Sequence, residues 1–376
     1  MKKHLVLGAL AVLSLAACTK SEVVELNKGN EISLTAVTGK NLTKAADGYC
    51  NKAMPDKFDV WAATQGKTYF EAQTYTRDGE TSTYKSATAR YWPNTAAVDF
   101  FAAKNYGGSA TLTATDPTSL AIADYTVTTT VADQKDFIYA VTKGATKAGG
   151  AASLYFRHAL SQIEFQAKNS NSGIYVEISG VTIKNVYSVG DFSVSVATTN
   201  NFVDHNLGES ADTDIRTGRC TWENPETAVD YALTFSPAVA LESTATSLSV
   251  TDPTGKEYND KTMYLIPQTV ANLWTGSGAP ASNQAYFELT ADIWNVAGAS
   301  VNKSTDVQLH TGKIAVPIPA STTWQDGLRY VYTFNFTSYG TGGVDPGTGD
   351  PVLTPITLTV TVDDFVDAGN TDVEVK

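Results

Sequence analysis

From Ile32 onward apolar and polar positions alternate. Ile32, Leu34 and Ala36 fall on one side, and Ser33, Thr35 and Val37 on the other. A period of two predicts a half-buried strand. The stretch 39–57 breaks the pattern with Gly39, Gly48 and Pro55. It carries Lys40, Lys44, Lys52 and Lys57, so it reads as a basic loop. Further β-type segments are expected near 58–63, 68–75, 97–103, 110–114, 121–130 and 136–142, punctuated by Asn94, Gly107-Gly108, Asp116-Pro117 and Gly149-Gly150.

A second series starts near Leu154. Ile163, Phe165 and Ala167 alternate with Glu164, Gln166 and Lys168, and segments follow at 174–184, 186–196, 229–236, 246–251, 262–266, 285–292 and 312–316. Two longer runs close the pattern. Tyr330, Tyr332, Phe334 and Phe336 alternate with Val331, Thr333 and Asn335; Ile356, Leu358, Val360 and Val362 alternate with Thr357, Thr359, Thr361 and Asp363. The Gly-, Pro- and Asp-rich residues 339–351 between them read as the flexible connection of a long hairpin. A short helix near 268–275 is the one helical expectation, and no repeat of roughly 20–50 residues is visible. Short strands with frequent turn signals predict an all-β sandwich or barrel.

Composition strengthens this reading. The chain has 376 residues, and its polarity comes less from charge (18% Asp, Glu, Lys and Arg) than from hydroxyls, with 51 threonines. Thr, Val and Tyr suit a pleated surface. The length fits roughly two to three domains. A formal net charge of −12 without a basic stretch argues against nucleic acid as a partner. Four His and three Cys, with no Cys-x-x-Cys pair, support neither a zinc cluster nor a disulfide framework. No cofactor or metal is expected, and the chain reads as a binding or structural protein, not an enzyme.

The first residues look like a leader. Lys2 and Lys3 precede an apolar core, Leu5 to Leu15, too short for a membrane-spanning helix of about 20 residues. Leu15-Ala16-Ala17-Cys18 resembles the lipobox of bacterial lipoproteins. That resemblance implies a signal peptide over 1–17 and lipidation of Cys18 with acyl chains such as palmitate. It places the precursor in the outer membrane.

Other motifs resemble one family. Tyr91-Trp92-Pro93 with Val98-Asp99-Phe100-Phe101-Ala102-Ala103 is similar to a segment of Bacteroidales fimbrillins (the major and minor fimbrial subunits), as is Phe156-Arg157-His158-Ala159-Leu160-Ser161-Gln162-Ile163. Gly180-Val181-Thr182-Ile183, Tyr187-Ser188-Val189-Gly190-Asp191-Phe192, Leu265-Ile266-Pro267-Gln268, Trp324 and the two closing runs follow in the family's order. The resemblance implies two transthyretin-like β-sandwich domains in tandem and a cell-surface, adhesive fimbria. It divides the chain into a signal peptide (1–17), a propeptide with the first strand (18–44), an N-terminal domain (45–153) and a C-terminal domain with a terminal hairpin (154–376).

It also implies a mechanism. A trypsin-like protease cuts after a basic residue in the loop that follows the first strand. Thr43-Lys44-Ala45-Ala46 most resembles the family's cleavage segment, placing the cut between Lys44 and Ala45, with Lys40 as the second choice. The pro-strand (Ile32, Leu34, Ala36) then leaves, and a C-terminal strand of a neighbouring subunit fills its place by strand addition. The donor strand would lie within 352–366, presenting Ile356, Leu358, Val360, Val362 and Phe365, which favours a stalk subunit. Partners implied are other copies of the chain, related fimbrial subunits, a processing protease and a host protein or glycan ligand. The alternatives are a fimbrial tip adhesin, or a lipid-anchored glycan-binding protein using exposed aromatics.

Several residues read blandly. His158 is taken as structural, since the sequence identifies no partner nucleophile or carboxylate. Asp204, His205 and Asn206 match no calcium loop, and Gly276-Ser277-Gly278 precedes no clear helix. Cys50 and Cys220 are read as buried thiols. Trp92, Trp222, Trp274, Trp294 and Trp324 are read as core before sugar platform.

Overall fold

A computed structural model of the protein describes residues 30–38, 55–79, 81–196, 220–248, 262–296, 300–337, 343–352 and 356–364. They form an all-β protein. The first sheet closes on itself as a barrel in the order β1 (Leu34–Thr38), β4 (Thr83–Ser86), β3 (Lys67–Arg77), β2 (Lys57–Thr64), β5 (Val98–Lys104), β8 (Ile138–Ala145) and β9 (Ala152–His158). Closure is made by a parallel pairing of β1 with β9, Leu34 opposite Ala152 through Thr38 opposite Phe156.

The barrel explains why β2, β5 and β8 read as near-continuous apolar runs. Phe58, Val60, Ala62, Phe100, Ala102, Ile138 and Ala140 face the barrel's own core. Trp61, Phe101, Ala103, Tyr139 and Val141 face outward into a second core. Strands buried on both faces lose the alternation of a half-buried strand.

That second core is shared with a sheet ordered β17 (Val307–Val316), β16 (Tyr286–Asn295), β11 (Ile174–Ser195), β7 (Ser119–Thr126) and β6 (Ala110–Leu112), with β12 (Thr221–Ala240) also paired to β11. The expectation of separate strands at 174–184 and 186–196 is corrected here, because β11 is one strand. Asn185 takes a positive φ of 54°, and its N–H donates to the Asp230 carboxylate at 3.0 Å. The pairing with β12 slips between Ile183 and Val186, a bulge rather than a break. One end of β11 pairs with β16 and the other with β7, so this strand runs along both halves of the core.

Opposite it lies a sheet ordered β13 (Thr246–Ser247), β10 (Ser161–Asn169), β19 (Leu328–Phe336) and β20 (Ile356–Asp364), with β14 (Met263–Leu265) also paired to β10. Phe165, Phe287, Tyr332 and Phe334 interlock between the two sheets, with ring centroids 4.7–6.2 Å apart.

The helix expected near 268–275 is absent. Gln268–Thr269 forms β15, paired to β18 (Thr323–Trp324). The Gln268 side chain accepts from the Tyr187 N–H at 2.9 Å and donates to the Tyr187 carbonyl at 2.9 Å. A side-chain amide thus completes the backbone bonding of β11, which holds residue 268 extended.

Candidate functional site

The first and last described strands hold the features that bear on function. Ile32, Leu34 and Ala36 are fully buried in the barrel core, among Phe58, Tyr75, Tyr84, Leu154 and Phe156. The segment is held along its length. Ile32 N–H donates to Arg90 O at 2.7 Å, Trp92 N–H to Asn30 O at 2.9 Å and Ala152 N–H to Ser33 O at 3.2 Å. β1 also pairs antiparallel with β4 at Leu34–Tyr84 and Thr35–Thr83.

The slot that holds β1 is lined mainly by apolar and aromatic side chains, with the Arg90 guanidinium 5.3 Å from the centre of the Phe70 ring at its edge. Burial pushes the Tyr75 phenol up to about 12. Burial likewise raises Tyr84 to about 12, and its hydroxyl donates to Pro55 O at 2.7 Å. Both phenols are neutral at physiological pH and present aromatic faces to β1.

β20 contrasts at every point. It pairs antiparallel with β19 from Phe336–Ile356 to Leu328–Asp364 and, among the described residues, has no strand on its other side. Ile356 is buried, Leu358 and Val362 are half-buried, and Val360 is 41% exposed. The apolar face that alternation predicted exists, but its own core covers it incompletely. An edge strand of this kind offers a row of unpaired backbone groups beside apolar side chains.

The expected flexible connection is corrected where it is described, because residues 343–352 are folded onto the neighbouring sheet. Val344 exchanges both backbone hydrogen bonds with Ala315 of β17, at 2.8 and 3.1 Å. Its side chain packs in a cluster with Trp274, Tyr286 and Ala315. Cys18, Lys40, Lys44, Ala45, Cys50, Phe365 and the 204–206 trio lie outside the described residues.

Sequence reasoning missed a partner of His158. The Asp136 carboxylate lies 2.8 Å from His158 Nδ1. The pairing of Ile138 with His158 brings them together, a proximity that depends on strand register and leaves no local signal. Among the described residues, no group of three or more His, Cys, Asp or Glu could hold a metal ion. Trp92, Trp274, Trp294 and Trp324 are buried and Trp222 is half-buried, with its indole N–H donating to Ala159 O at 2.8 Å. Cys220 is a buried thiol. No described helix is long and apolar enough to cross a membrane.

Among solved structures, the chain is similar to a Bacteroides uniformis protein described as a candidate cell adhesion protein (14% identity, 89% of this chain and 98% of that chain, TM-score 0.44). It is also similar to the tip fimbrial protein Mfa3 from Porphyromonas gingivalis (10%, 89% and 99%, 0.39) and to a fimbrial assembly protein from Parabacteroides distasonis (12%, 88% and 98%, 0.38). Comparison with curated proteins returns no match. The profile of the fimbrillin-like family matches residues 25–364, nearly the whole chain. With that span matched, the chain belongs to the fimbrillin-like family.

Proposed function

We propose that this chain is a stalk subunit of an adhesive fimbria on the cell surface, polymerised by donor-strand exchange. It is exported as a lipoprotein precursor held in the outer membrane through Cys18. A trypsin-like protease cuts it after Lys44. The propeptide then comprises 18–44, followed by two transthyretin-like units, 45–153 and 154–376, which exchange strands at their border: β9 (Ala152–His158) closes the first barrel, and β6 and β7 pair into the second unit's sheet. Its partners are copies of itself and related fimbrial subunits, and its role is structural, with no cofactor.

The observation that carries this reading is β20, an edge strand whose apolar face is only partly covered by its own core. The β1 slot takes side chains at the same period of two, where Ile32, Leu34 and Ala36 now sit. An incoming strand can pair there with both β4 and β9. Full burial contributes about 1.5–3 kcal/mol per aliphatic side chain, so four sum to at most about 6–12 kcal/mol. The net gain is smaller, because Ile356 is already buried and ordering a strand costs entropy.

The test is electron microscopy of purified precursor after controlled cleavage, with a deletion of 352–376 as control. The expected result is polymer, and SDS-resistant ladders, from the cleaved full chain alone. Polymer that forms without 352–376, or assembled subunits that still begin at Cys18, would refute the reading.

A further inference from the structure

The connection between β19 and β20 is itself held, over residues 343–352, to elements outside that hairpin. Beyond the Val344–Ala315 exchange, Val352 N–H donates to Gly343 O at 2.9 Å, Asp345 N–H to Asp350 O at 2.9 Å and Gly349 N–H to Asp345 O at 2.8 Å. The Asp345 carboxylate accepts from the Gly347 and Thr348 N–H groups at 2.8 and 3.0 Å. Two glycines mark close approaches. A Cβ on Gly343 would overlap Ile314 Cγ2, and one on Gly349 would sit 2.5 Å from Ala279 N. Gly349 also has a φ of +77°, which L side chains rarely adopt. The segment is therefore closed, pinned to β17 on one side and to the 278–279 turn on the other.

We infer that residues 343–352 are a clasp that sets how far β20 can travel from its own sheet. Extended chain spans at most ~3.3–3.6 Å per residue. With the clasp shut, residue 356 is four steps from 352 and can lie no more than ~14 Å from it. With it open, residue 356 is twenty steps from 336 and can lie up to ~66–72 Å from it. The shut clasp roots the start of β20 close to its own sheet and limits Asp364, twelve steps on from 352, to ~40–43 Å, whereas the open clasp, with twenty-eight steps from 336, lets the whole strand move ~92–101 Å toward a neighbouring subunit. The same exposed strand is thus a restrained edge in the lone subunit and a tethered donor once the clasp opens.

The consequence for assembly rests on β20 being the donor; the restraint itself does not. The test therefore reads both. Val344→Asp and, independently, Gly349→Val open the clasp from its two ends. Amide hydrogen exchange across 356–364 should become at least about tenfold faster in each, while exchange in the barrel stays unchanged. A converse variant, Ala315→Cys with Val344→Cys in a Cys50→Ser, Cys220→Ser background, locks it. A hydrogen-bonded antiparallel pair has α-carbons about 5.5 Å apart, within the ~4.4–6.8 Å that a disulfide bridges. After protease treatment the oxidised full chain should stay monomeric, and the reduced one should polymerise. If β20 exchange does not change in either opened variant, or the locked chain polymerises at the reduced rate, the clasp is wrong. If exchange accelerates but no variant forms polymer, the clasp stands and the donor role of β20 falls.

Discussion

β1 and β20 are the same kind of sequence in two different settings. Residues 32–36, leading into and through β1, and β20 both alternate aliphatic with hydroxyl or polar residues. β1 lies between two strands, with Ile32, Leu34 and Ala36 fully buried. Among the described residues β20 has one neighbouring strand, and Val360 is 41% exposed. An alternating strand is a pattern awaiting a partner, and its worth is set by what covers its apolar face. In β1 the cover is complete within the subunit. In β20 it is partial, as the proposed donor role requires.

The sharpest way to break this comparison is to make one substitution on both strands. Leu34→Ala should cost about 2–5 kcal/mol in urea unfolding, the range for truncating a buried leucine. Leu358→Ala should cost no more than about 1–2 kcal/mol, since the half-buried side chain has less apolar area to lose. Equal costs would mean that β20 is as integral to its sheet as β1.

A smaller effect on stability separates packing within the subunit from the proposed donor role. Val360→Asp should shift unfolding by no more than ~0.5 kcal/mol, as for exposed positions. The same change should abolish ladder formation after cleavage, because the aspartate would then enter an apolar slot. A loss of stability above about 2 kcal/mol would mean that Val360 already has its partner within the subunit.

The smallest expected effect is a pH dependence at the clasp. Hydrogen bonds from the Thr348 and Gly347 N–H groups hold the Asp345 carboxyl below its usual value, with His310 nearby as a lesser contributor. A lowered folded pKa gives stabilisation that is present above the unfolded value of about 3.9 and is lost as pH falls through the folded value. Proteolysis between 343 and 352 should therefore accelerate below about pH 4 relative to pH 6. Asp345→Asn, which keeps the acceptor oxygen without the charge, should flatten that dependence. An unchanged pH profile in Asp345→Asn would assign the acid sensitivity elsewhere.

Much of this was legible because period two is local. The alternation at 32–36, 163–167, 330–336 and 356–362 needs no knowledge of the rest of the chain. The continuous apolar runs at 58–63 and 97–103 were equally readable as strands. That both of their faces are buried was not, since this depends on a second sheet packing outside the barrel. The expected break between 184 and 186 failed because an asparagine at positive φ serves a turn and a bulge equally well. The expected helix at 268–275 failed because the side chain of Gln268 satisfies the backbone of a strand 81 residues away. The flexible reading of 339–351 failed for a related reason. Gly and Pro signal an irregular backbone, and here Gly343 and Gly349 allow close packing.

By itself, then, the sequence determined the β class, the alternating faces of β1 and β20 and the ordered motifs of the family, because each resides in neighbouring residues. The tertiary structure alone decided which alternating face is fully covered, that Asp136 meets His158, that β1 and β9 close a barrel in parallel, and that Val344 is pinned to β17. Those outcomes join residues far apart in the chain. Their energies come from packing and register, which no local pattern encodes.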